Sequence, residues 1–421
     1  MTTDVAVPFK VMDGENRRVV SLEQISDFIT KGTTPTTYGF EWVHEGVPFL
    51  RSECVSEDGF TTSGLCYVSE EAHQSFSRSV VHGDDLLITI TGNVGRVAKY
   101  PTTLPEGNIN QHIARVRIAD VDSADSDYVL YTLKSRDYRR YFESIVTGLA
   151  YPQLSLKQIR NTPVSLPPLP EQKKIAEVLS SVDEAIAATK AVIDQTKQVK
   201  KGLLQTLLTK GIGHTKFKQT ELGEIPRSWE VVCLEEIALV ERGKFSARPR
   251  NDPKYYGGDI PFIQTGDVVS SNGILRKHRQ TLNEHGLGVS KRFAAHVVLV
   301  TIAANIGDTA ITTYPVCCPD SIVAVQPNEG IDVFWLQHVL ASKKNYLDSV
   351  ATQNAQKNIN LTYLKPLLVA LPPFEERENI ASILNELRNT EVDNFETLEQ
   401  LQTLKSGLMS DLITGRKRVE V

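Results

Sequence analysis

The chain has 421 residues, too many for one ordinary hydrophobic core, so two or more domains are expected. Charged residues make up 23% and hydrophobic residues 41% of the sequence, and no run of about 18 apolar residues occurs, which argues against a membrane-spanning helix. The net charge of −5 does not indicate nucleic-acid binding, but it does not exclude it, because a basic face can coexist with acidic helices.

Cysteine usage and the first residues favour a cytoplasmic location. The cysteines, at positions 54, 66, 233, 317 and 318, are odd in number and form no CxxC pair, which predicts reduced thiols and argues against zinc. Residues 1–5 show no basic start followed by an apolar run, so no signal peptide is expected.

Two blocks rich in short β-type runs and turns, residues 14–165 and 223–370, alternate with two long helical patterns. Residues 85–90 and 294–302 are examples of the β-type runs. Each block ends in a shorter helical stretch, at residues 128–144 and 333–349. The expected fold class is α+β, with two globular domains of mixed α and β structure joined by two long helices.

Both long patterns carry apolar residues at alternating spacings of four and three, as in the heptads of a coiled coil. Each pattern follows a Pro-Pro pair and ends at a glycine, Gly211 or Gly415, which accepts the left-handed conformation. A helix of about 38 residues would be about 57 Å long. We expect the two helices to bury these stripes against each other, antiparallel if the halves are related by a pseudo-twofold axis. The predicted seam consists of Ile175, Leu179, Val182, Ile186, Ile193, Leu203, Leu207, Ile380, Leu384, Leu387, Leu398, Leu401, Leu408 and Leu412.

The second half of the chain repeats the first. Leu166-Pro167-Pro168 returns as Leu371-Pro372-Pro373, and this offset of 205 holds through both helices. The globular blocks match only in patches, at offsets of 212 or 213: residues 20–25 with 232–237, 48–51 with 261–264, and 91–95 with 303–307. The pattern suggests a fixed frame that carries two variable domains. The predicted segments are 1–165 and 212–370 for the domains, 166–211 and 371–415 for the helices, and 416–421 for a tail.

The order and duplication of these motifs resemble the specificity (S) subunit of type I DNA restriction–modification enzymes, over essentially the whole chain. The resemblance rests on the LPP-x-x-E stretches at Leu166 and Leu371, the Ile-Ala pairs at 175 and 380, the helix ends around Gly202 and Gly407, and the Asn-x-Gly turns at Asn93 and Asn305. The segment Gly223-Glu224-Ile225-Pro226-x-x-Trp229 looks like the start of a recognition domain, but the first block has Arg17-Arg18 in its place. Residues 355–359 resemble the segment that closes a recognition domain, and residues 150–154 match it more loosely.

The resemblance implies a non-catalytic DNA-binding subunit. Each recognition domain would dock on one half of a split double-stranded DNA target, and the paired helices would fix the gap between the halves. The helices would also dock two methyltransferase (modification) subunits, which restriction subunits would join. S-adenosylmethionine, ATP and Mg would belong to those partners, and this chain would hold no cofactor and no metal.

DNA contacts need basic and amide side chains on loops, because Arg and Lys neutralise phosphates while Arg, Asn and Gln bind base edges. The candidate residues are Lys31, Thr33, Thr34, Arg51, Ser52 and Arg96 in the first block, and Lys244, Arg248, Arg250, Gln264, Thr265, Arg276, Lys277, Arg279, Lys291 and Arg292 in the second. Arg78, Arg115 and Arg117 are further first-block candidates. The alternatives are a solvated surface for the cations, an ordinary turn for Thr33 and Thr34, strand caps for the polar pairs that end equivalent strands, and an architectural role for the Asn93 and Asn305 turns.

Sequence patterns of an enzyme are absent. A [DN]PP[YF] methylase motif would need an amide or carboxylate where Leu371 precedes Pro372, and neither a GxxxxGK[ST] loop nor an HExxH helix occurs. We expect a sequence-specific DNA-binding specificity subunit. The alternative is a coiled-coil adaptor or scaffold that binds peptide or protein, and strong salt dependence of DNA binding would separate the two.

Overall fold

The structure, a computed structural model, describes residues 17–148, 151–352 and 358–420. The chain forms two compact units, Met1–Lys190 with Thr397–Val421, and Ala191–Glu396. Each long helix therefore contributes one end to each unit, so neither unit coincides with a single segment of the sequence prediction. None of the described helices is long and apolar enough to cross a membrane.

The first unit places a four-stranded sheet between a second sheet and a layer of helices. The strands are β1 (Arg18–Ser21), β2 (Ser26–Lys31), β3 (Val47–Leu50), β4 (Cys66–Val68), β5 (Val80–Val81), β6 (Leu86–Thr89), β7 (Val97–Lys99), β8 (Gly107–Ile109), β9 (Ile113–Ile118) and β10 (Pro163–Leu166). The helices are α1 (Leu22–Ile25), α2 (Glu70–Ser75), α3 (Ser126–Lys134), α4 (Arg136–Ile145), α5 (Leu156–Arg160) and the first long helix, α6 (Leu169–Thr209), with 3-10 turns at Pro35–Tyr38, Ser52–Cys54 and Ser77–Ser79.

The strand order is β2-β9-β6-β7 in the central sheet and β4-β3-β8-β5 in the second, while β1 pairs with β10. Side chains alternate across the central sheet, as the period of two in a strand requires. Leu86 and Ile88 pack towards Tyr128 and the helices, whereas Leu87 packs towards the second sheet.

The second unit repeats this arrangement. Its strands are β11 (Phe217–Thr220), β12 (Gly223–Pro226), β13 (Glu230–Cys233), β14 (Ala238–Arg242), β15 (Tyr256–Phe262), β16 (Ile274–Leu275), β17 (Gln280–Leu282), β18 (Arg292–Phe293), β19 (Val298–Thr301), β20 (Thr309–Thr312), β21 (Val316–Cys317), β22 (Ile322–Pro327) and β23 (Leu368–Leu371). Its helices are α7 (Leu234–Ile237), α8 (Thr265–Ser270), α9 (Glu284–Gly288), α10 (Val333–Ser342), α11 (Lys344–Thr352), α12 (Leu361–Leu364) and the second long helix, α13 (Phe374–Ile413), with a 3-10 turn at Pro253–Tyr255.

The sheet topology confirms the duplication inferred from scattered motifs. The orders β14-β22-β19-β20-β16 and β17-β15-β21-β18 match those of the first unit strand for strand, with β16 added at one edge, and β13 pairs with β23 as β1 pairs with β10. In both units β3 or β15 pairs in parallel with β8 or β21. The helical stretch predicted after each sheet is two helices, because the chain breaks at Ser135, which caps α4, and at Lys343.

The long helices begin directly after Pro168 and Pro373, and both end two residues before a glycine with positive φ, Gly211 at +66° and Gly415 at +77°. Within the first unit, the contact of Glu171 with Arg418 at 2.6 Å and that of Asp183 with Lys405 at 2.5 Å show that the helical segments run antiparallel. Within the second unit, Lys200 contacts Glu391 at 2.7 Å and Lys197 lies over the ring of Phe395. The expected antiparallel pairing is therefore confirmed inside each unit.

All fourteen residues of the predicted seam are at least partly buried. The fully buried ones are Ile175, Leu179, Ile193, Leu207, Ile380, Leu384 and Leu412. Ile175 and Leu179 lie in the sheet-and-helix core of the first unit together with Leu412 of the other long helix, and Ile380 and Leu384 lie in that of the second unit together with Leu207. The start of each long helix is thus an integral part of a globular core.

In each unit, the glutamate of the LPP-x-x-E motif at the start of one long helix binds the chain next to the end of the other long helix, a contact called here the closure. Glu376 accepts hydrogen bonds from the indole of Trp229 at 2.9 Å and from the backbone N–H of Ile212 at 2.9 Å, and its Oε1 lies 2.8 Å from His214 Nε2. A Cβ on Gly211 would stand 2.3 Å from the same oxygen, so the glycine is required by close approach as well as by its φ.

The first unit builds the same closure from different residues. Glu171, only 2% exposed, accepts from Arg418 at 2.6 and 3.3 Å, and the guanidinium of Arg17 lies 3.8 Å from it. Arg17 also donates to the last carbonyls of α13, at Ile413 (2.8 Å) and Leu412 (3.2 Å), and packs against Gly415. At the offset of 212, Arg17 stands where Trp229 stands in the second unit, so an arginine replaces the tryptophan that the sequence pattern lacked.

We expect Glu171→Ala to lower the free energy of unfolding by about 3 kcal/mol, because it leaves the buried cation of Arg17 without its carboxylate. Urea unfolding measures the loss. The matched control is Glu177→Ala on the same helix, where an exposed pair with Lys174 at 2.9 Å should contribute less than about 0.5 kcal/mol. Equal losses in the two variants would contradict the closure role of Glu171.

His338 gives the second unit a pH dependence. It is 3% exposed and lies 3.2 Å from Asn385 Oδ1, and burial, reinforced by the charge of Arg388, lowers its pKa from 6.5 to about 4. The unfolded chain therefore takes up the proton first as the pH falls, so this contribution to stability is complete above about pH 6.5 and is lost between pH 6.5 and 4.

Between pH 7 and pH 5, the chain should lose about 2 kcal/mol of stability that His338→Gln does not lose. Urea titrations at the two pH values measure the difference. His285→Gln, which replaces an exposed histidine of the same unit, should keep the pH dependence of the unaltered chain. A pH dependence that survives in His338→Gln would assign the effect to another group.

Candidate nucleic-acid interface

The first unit contains a polar cavity of about 490 Å³ at the ends of its strands. Four residues predicted to contact DNA line it, namely Thr34, Arg51, Ser52 and Arg96. Thr34 follows β2, Arg51 and Ser52 follow β3, and Arg96 precedes β7. The structure thus brings together side chains that lie far apart in the sequence.

Gln111 and His112, between β8 and β9, also line this cavity and were missed by sequence reasoning. The amide of Gln111 is held by Thr34, whose hydroxyl donates to Oε1 at 2.6 Å, and by His112, whose Nε2 lies 3.0 Å from Gln111 Nε2. The hydroxyl of Thr91 holds the other ring nitrogen of His112. An amide oriented in this way keeps one lone pair of Oε1 and one N–H of Nε2 available for a ligand. This acceptor and donor match the N6 amino group and the N7 atom that adenine presents in the major groove. The only available signal was a polar triplet, 110–112, between two apolar strands.

Two of the basic candidate residues of the first unit are exposed, and a third is held in an ion pair. Arg51 is exposed, with Glu53 at 3.6 Å, and Lys31 is exposed at the end of β2. Arg96 pairs with Glu57 at 3.0 Å, and Glu57 is held mainly by Arg139, which with Arg96 lowers the pKa of the carboxyl.

One of the further candidates, Arg115, was wrong, and a second, Arg117, is held by an acidic partner inside the unit. Arg115 is 4% exposed and donates to the backbone carbonyls of Val80 and Phe28, so it cannot reach a ligand outside the fold. Arg117 is committed to buried Asp85 through two hydrogen bonds of 2.7 Å. Arg115 and Arg117 share one face of β9, and the partners of Arg115 in the two neighbouring strands are Thr30 and Leu87.

The equivalent place in the second unit carries different polar side chains. Gln264 stands where Arg51 stands, and its amide donates to Gln280 at 3.0 Å, while Thr265 begins α8. Asp320 stands where Gln111 stands, as judged from the matching backbone hydrogen bonds of Ile90 to His112 and of Ile302 to Ser321. Asp320 accepts from Arg250 at 2.8 and 3.0 Å. The same frame thus presents an arginine and an amide in one unit, and an amide and an ion pair in the other.

The other basic residues of the second unit lie on separate loops. Arg276, Lys277 and Arg279, between β16 and β17, line a groove of about 540 Å³, and Arg279 approaches Asp267 at 3.6 Å while remaining 75% exposed. Lys244 is exposed after β14, and Arg248 donates to the carbonyls of its own loop. On β18 and just before it, Arg292 is exposed and Lys291 pairs with Glu241 at 2.5 Å.

The Asn-x-Gly turns beside these sites are braced by a threonine. Thr89 donates to the carbonyl of Asn93, and Thr301 does the same for Asn305. Each threonine oxygen also accepts from the backbone N–H that follows the turn, at 3.0 Å in both units. This supports the architectural interpretation of the two turns.

The segments that resemble the close of a recognition domain are described only in part. Residue 150 and residues 355–357 lie outside the described residues. Their neighbours Gln153 and Asn358 form equivalent bridges to Thr91 and Ala303, next to the braced turns. Among the described residues, no three His, Cys, Asp or Glu side chains are grouped so as to hold a metal ion.

Comparison with known sequences identifies the family. Residues 15–198 and 226–403 match the family described as type I restriction modification DNA specificity domain. The chain belongs to this family. Each match covers one block and most of the long helix after it, so the family unit is present twice, and the chain is a DNA-specificity subunit of a type I restriction–modification system.

Relatives span almost the full length. The chain is 27% identical to the type I restriction enzyme MjaVIII specificity subunit of Methanocaldococcus jannaschii, covering 98% of this chain and 96% of that one. It is 26% identical to the putative MjaX specificity subunit of the same organism, covering 89% and 88%. The EcoBI specificity subunit of Escherichia coli is 24% identical, covering 87% and 78%.

Solved structures show the same fold. The S subunit of a type I restriction–modification system from M. genitalium aligns with a TM-score of 0.61 at 15% identity, covering 96% of this chain and 98% of that one. A chain from a study of complex assembly and conformational transition of the type I R-M system aligns at 0.58 with 18% identity, covering 96% and 99%. At these identities the likeness concerns the fold alone.

Proposed function

We propose that each unit of this specificity subunit binds one half of a split double-stranded DNA target. The observation that carries the proposal is the contrast between a constant frame and variable side chains. Both units share strand order, braced turns and a closing carboxylate, while equivalent positions that are at least partly exposed hold Arg51 and Gln111 in one unit and Gln264 and Asp320 in the other. Different donors and acceptors on one frame would select different base edges.

We further propose that the chain itself is non-catalytic and acts in the cytoplasm. Two methyltransferase subunits would bind it, one for each repeat, and restriction subunits would join them. S-adenosylmethionine, ATP and Mg would be bound by those partners. The duplication supports two equivalent docking surfaces, and the sequence lacks the nucleotide-binding and methylase motifs that would place this chemistry here.

The decisive test is genome-wide methylation mapping in cells that express this chain with its candidate methyltransferase subunit, against cells without this chain. A split motif that appears only with the chain supports the function. No methylation and no association of the two proteins would favour the adaptor alternative, which steep salt dependence of DNA binding would contradict.

In the same assay, Gln111→Ala should relax or abolish one half of the motif, and Gln264→Ala should affect only the other half. Loss of one well-placed amide contact costs about 1–3 kcal/mol of discrimination, or about 5–150-fold in preference. Gln195→Ala, an exposed position on α6, is the matched control and should leave both halves intact. A motif unchanged in both site variants would exclude these amides as specificity determinants.

The paired helices would set the gap between the two halves. Deleting one heptad from each helix, residues 190–196 and 395–401, keeps the a/d register and removes about 10 Å at 1.5 Å per residue. The mapped gap should then shrink by about three base pairs at 3.4 Å each. A gap of unchanged length in the deletion variant would rule out the helices as the ruler.

A further inference from the structure

A buried arginine of the second unit has no carboxylate partner among the residues that the structure describes. Arg388, on α13, is 3% exposed, and its guanidinium donates to two neutral acceptors, Asn385 Oδ1 at 2.5 Å and Gln337 Oε1 at 3.5 Å. Within the described ranges it forms no ion pair, and its Nε has no hydrogen-bond partner. The ring of Phe334, 5.5 Å away, offsets part of the desolvation, but it brings no negative charge.

Comparison with the equivalent residues of the first unit shows that the second unit carries one more positive charge at this place. At the helix offset of 205, Arg388 corresponds to Asp183 and Lys200 corresponds to Lys405. In the first unit Asp183 and Lys405 form an ion pair at 2.5 Å. In the second unit the carboxylate has become a guanidinium, and Lys200 is neutralised instead by Glu391 at 2.7 Å, which corresponds to Ile186. One positive charge is therefore left over.

Arg388 lines a cavity of about 240 Å³ together with Lys200, Lys344, Thr309 and Asn272. Asp308 is also in the lining, but it is occupied by Lys344 at 2.5 Å. The lining thus combines one unpaired cation with hydroxyl and amide groups on one side and the apolar side chains of Leu204, Val268, Val269 and Ala341 on the rest. This volume holds several water molecules, which is room for a tetrahedral oxyanion with some of its hydration.

We propose that this cavity binds one oxyanion of the phosphate class, with Arg388 as its principal ligand and Lys200 and Lys344 as flanking cations. Guanidinium groups bind phosphate through paired N–H donors, and a buried, unpaired guanidinium gains most from an anion that accepts them. Burial, together with the charge of Arg276, lowers the pKa of Arg388 to about 10, and Arg276 thus adds to the positive potential at this place.

The test uses the full chain and inorganic phosphate. The key variant combines Arg388→Asp with Glu391→Ile, which installs in the second unit the residues that the first unit carries at 183 and 186. Because that arrangement already folds opposite Lys405, the double variant should fold opposite Lys200. A second variant, Arg388→Lys, keeps the charge without the paired donors.

Thermal unfolding is followed in phosphate and in chloride at equal ionic strength and pH 7. At a phosphate concentration about ten times the dissociation constant, the midpoint of the unaltered chain should rise by about 4 °C more than that of the double variant. Arg388→Lys should show an intermediate rise. The general stabilising effect of phosphate acts on every variant alike. Equal rises in the unaltered chain and the double variant would therefore overturn the site.

Measurements of duplex DNA binding distinguish two sources of the phosphate, the DNA backbone and a free ion. This part of the test rests on the proposed function. If a DNA backbone phosphate fills the cavity, the slope of log K against log salt should be about one unit shallower in the double variant, for any DNA sequence. If a free ion fills it, the slopes should coincide while the phosphate-dependent midpoints still differ. A chain that does not bind DNA at all would contradict the proposed function but leave the thermal test of the cavity valid.

Discussion

The fold of each unit depends on one carboxylate at the start of a long helix, which is buried in Glu171 and mostly buried in Glu376. Glu376 binds the chain that leaves α6, through Ile212, His214 and Trp229. Glu171 binds the chain around the end of α13, through Arg17 and Arg418. Each carboxylate therefore fixes where the partner segment of the antiparallel pair must end, which sets the register of two helices whose heptad pattern alone would tolerate a slip of seven residues. The glycines at 211 and 415 are the complement of this contact, because a side chain at 211 would occupy the place of the carboxylate oxygen.

Much of this architecture could be predicted from the sequence, because the second half of the chain repeats the motifs of the first. The offset of 205 located both long helices, their proline starts and their glycine ends, and the apolar stripe identified seam residues that are all at least partly buried. The closure was harder to predict, since an arginine and a tryptophan are chemically dissimilar and only the structure shows Arg17 and Trp229 contacting equivalent carboxylates. The heptad pattern also could not show that Leu179 and Leu384 contact the sheet-bearing cores as well as the opposite helix, because the period identifies a buried face but not what covers it.

The candidate site was predictable only in part, for a physical reason. Arg51, Ser52 and Thr34 were found because they follow strands, and the ends of β2 and β3, from the two sheets of the unit, meet at one cavity. Gln111 was missed because its importance comes from two neighbours that orient its amide, and such a network has no sequence period. Arg115 was predicted to contact DNA, but its guanidinium donates to backbone carbonyls inside the fold. Residue type indicates what a side chain can bind, whereas its hydrogen-bond partners determine what it has left to offer.

The division of the long helices between the units has a consequence for biosynthesis. The second unit is one continuous stretch, residues 191–396, whereas the first needs residues 397–421 to meet a core formed from residues before 191. Leu412 and Ile413 are buried in that core. Domains that are continuous in sequence can fold as they leave the ribosome, but contacts across more than 200 residues must wait for the later segment to be made. The unit that is translated first is therefore completed last, and until then it exposes the apolar groove that the end of α13 will fill.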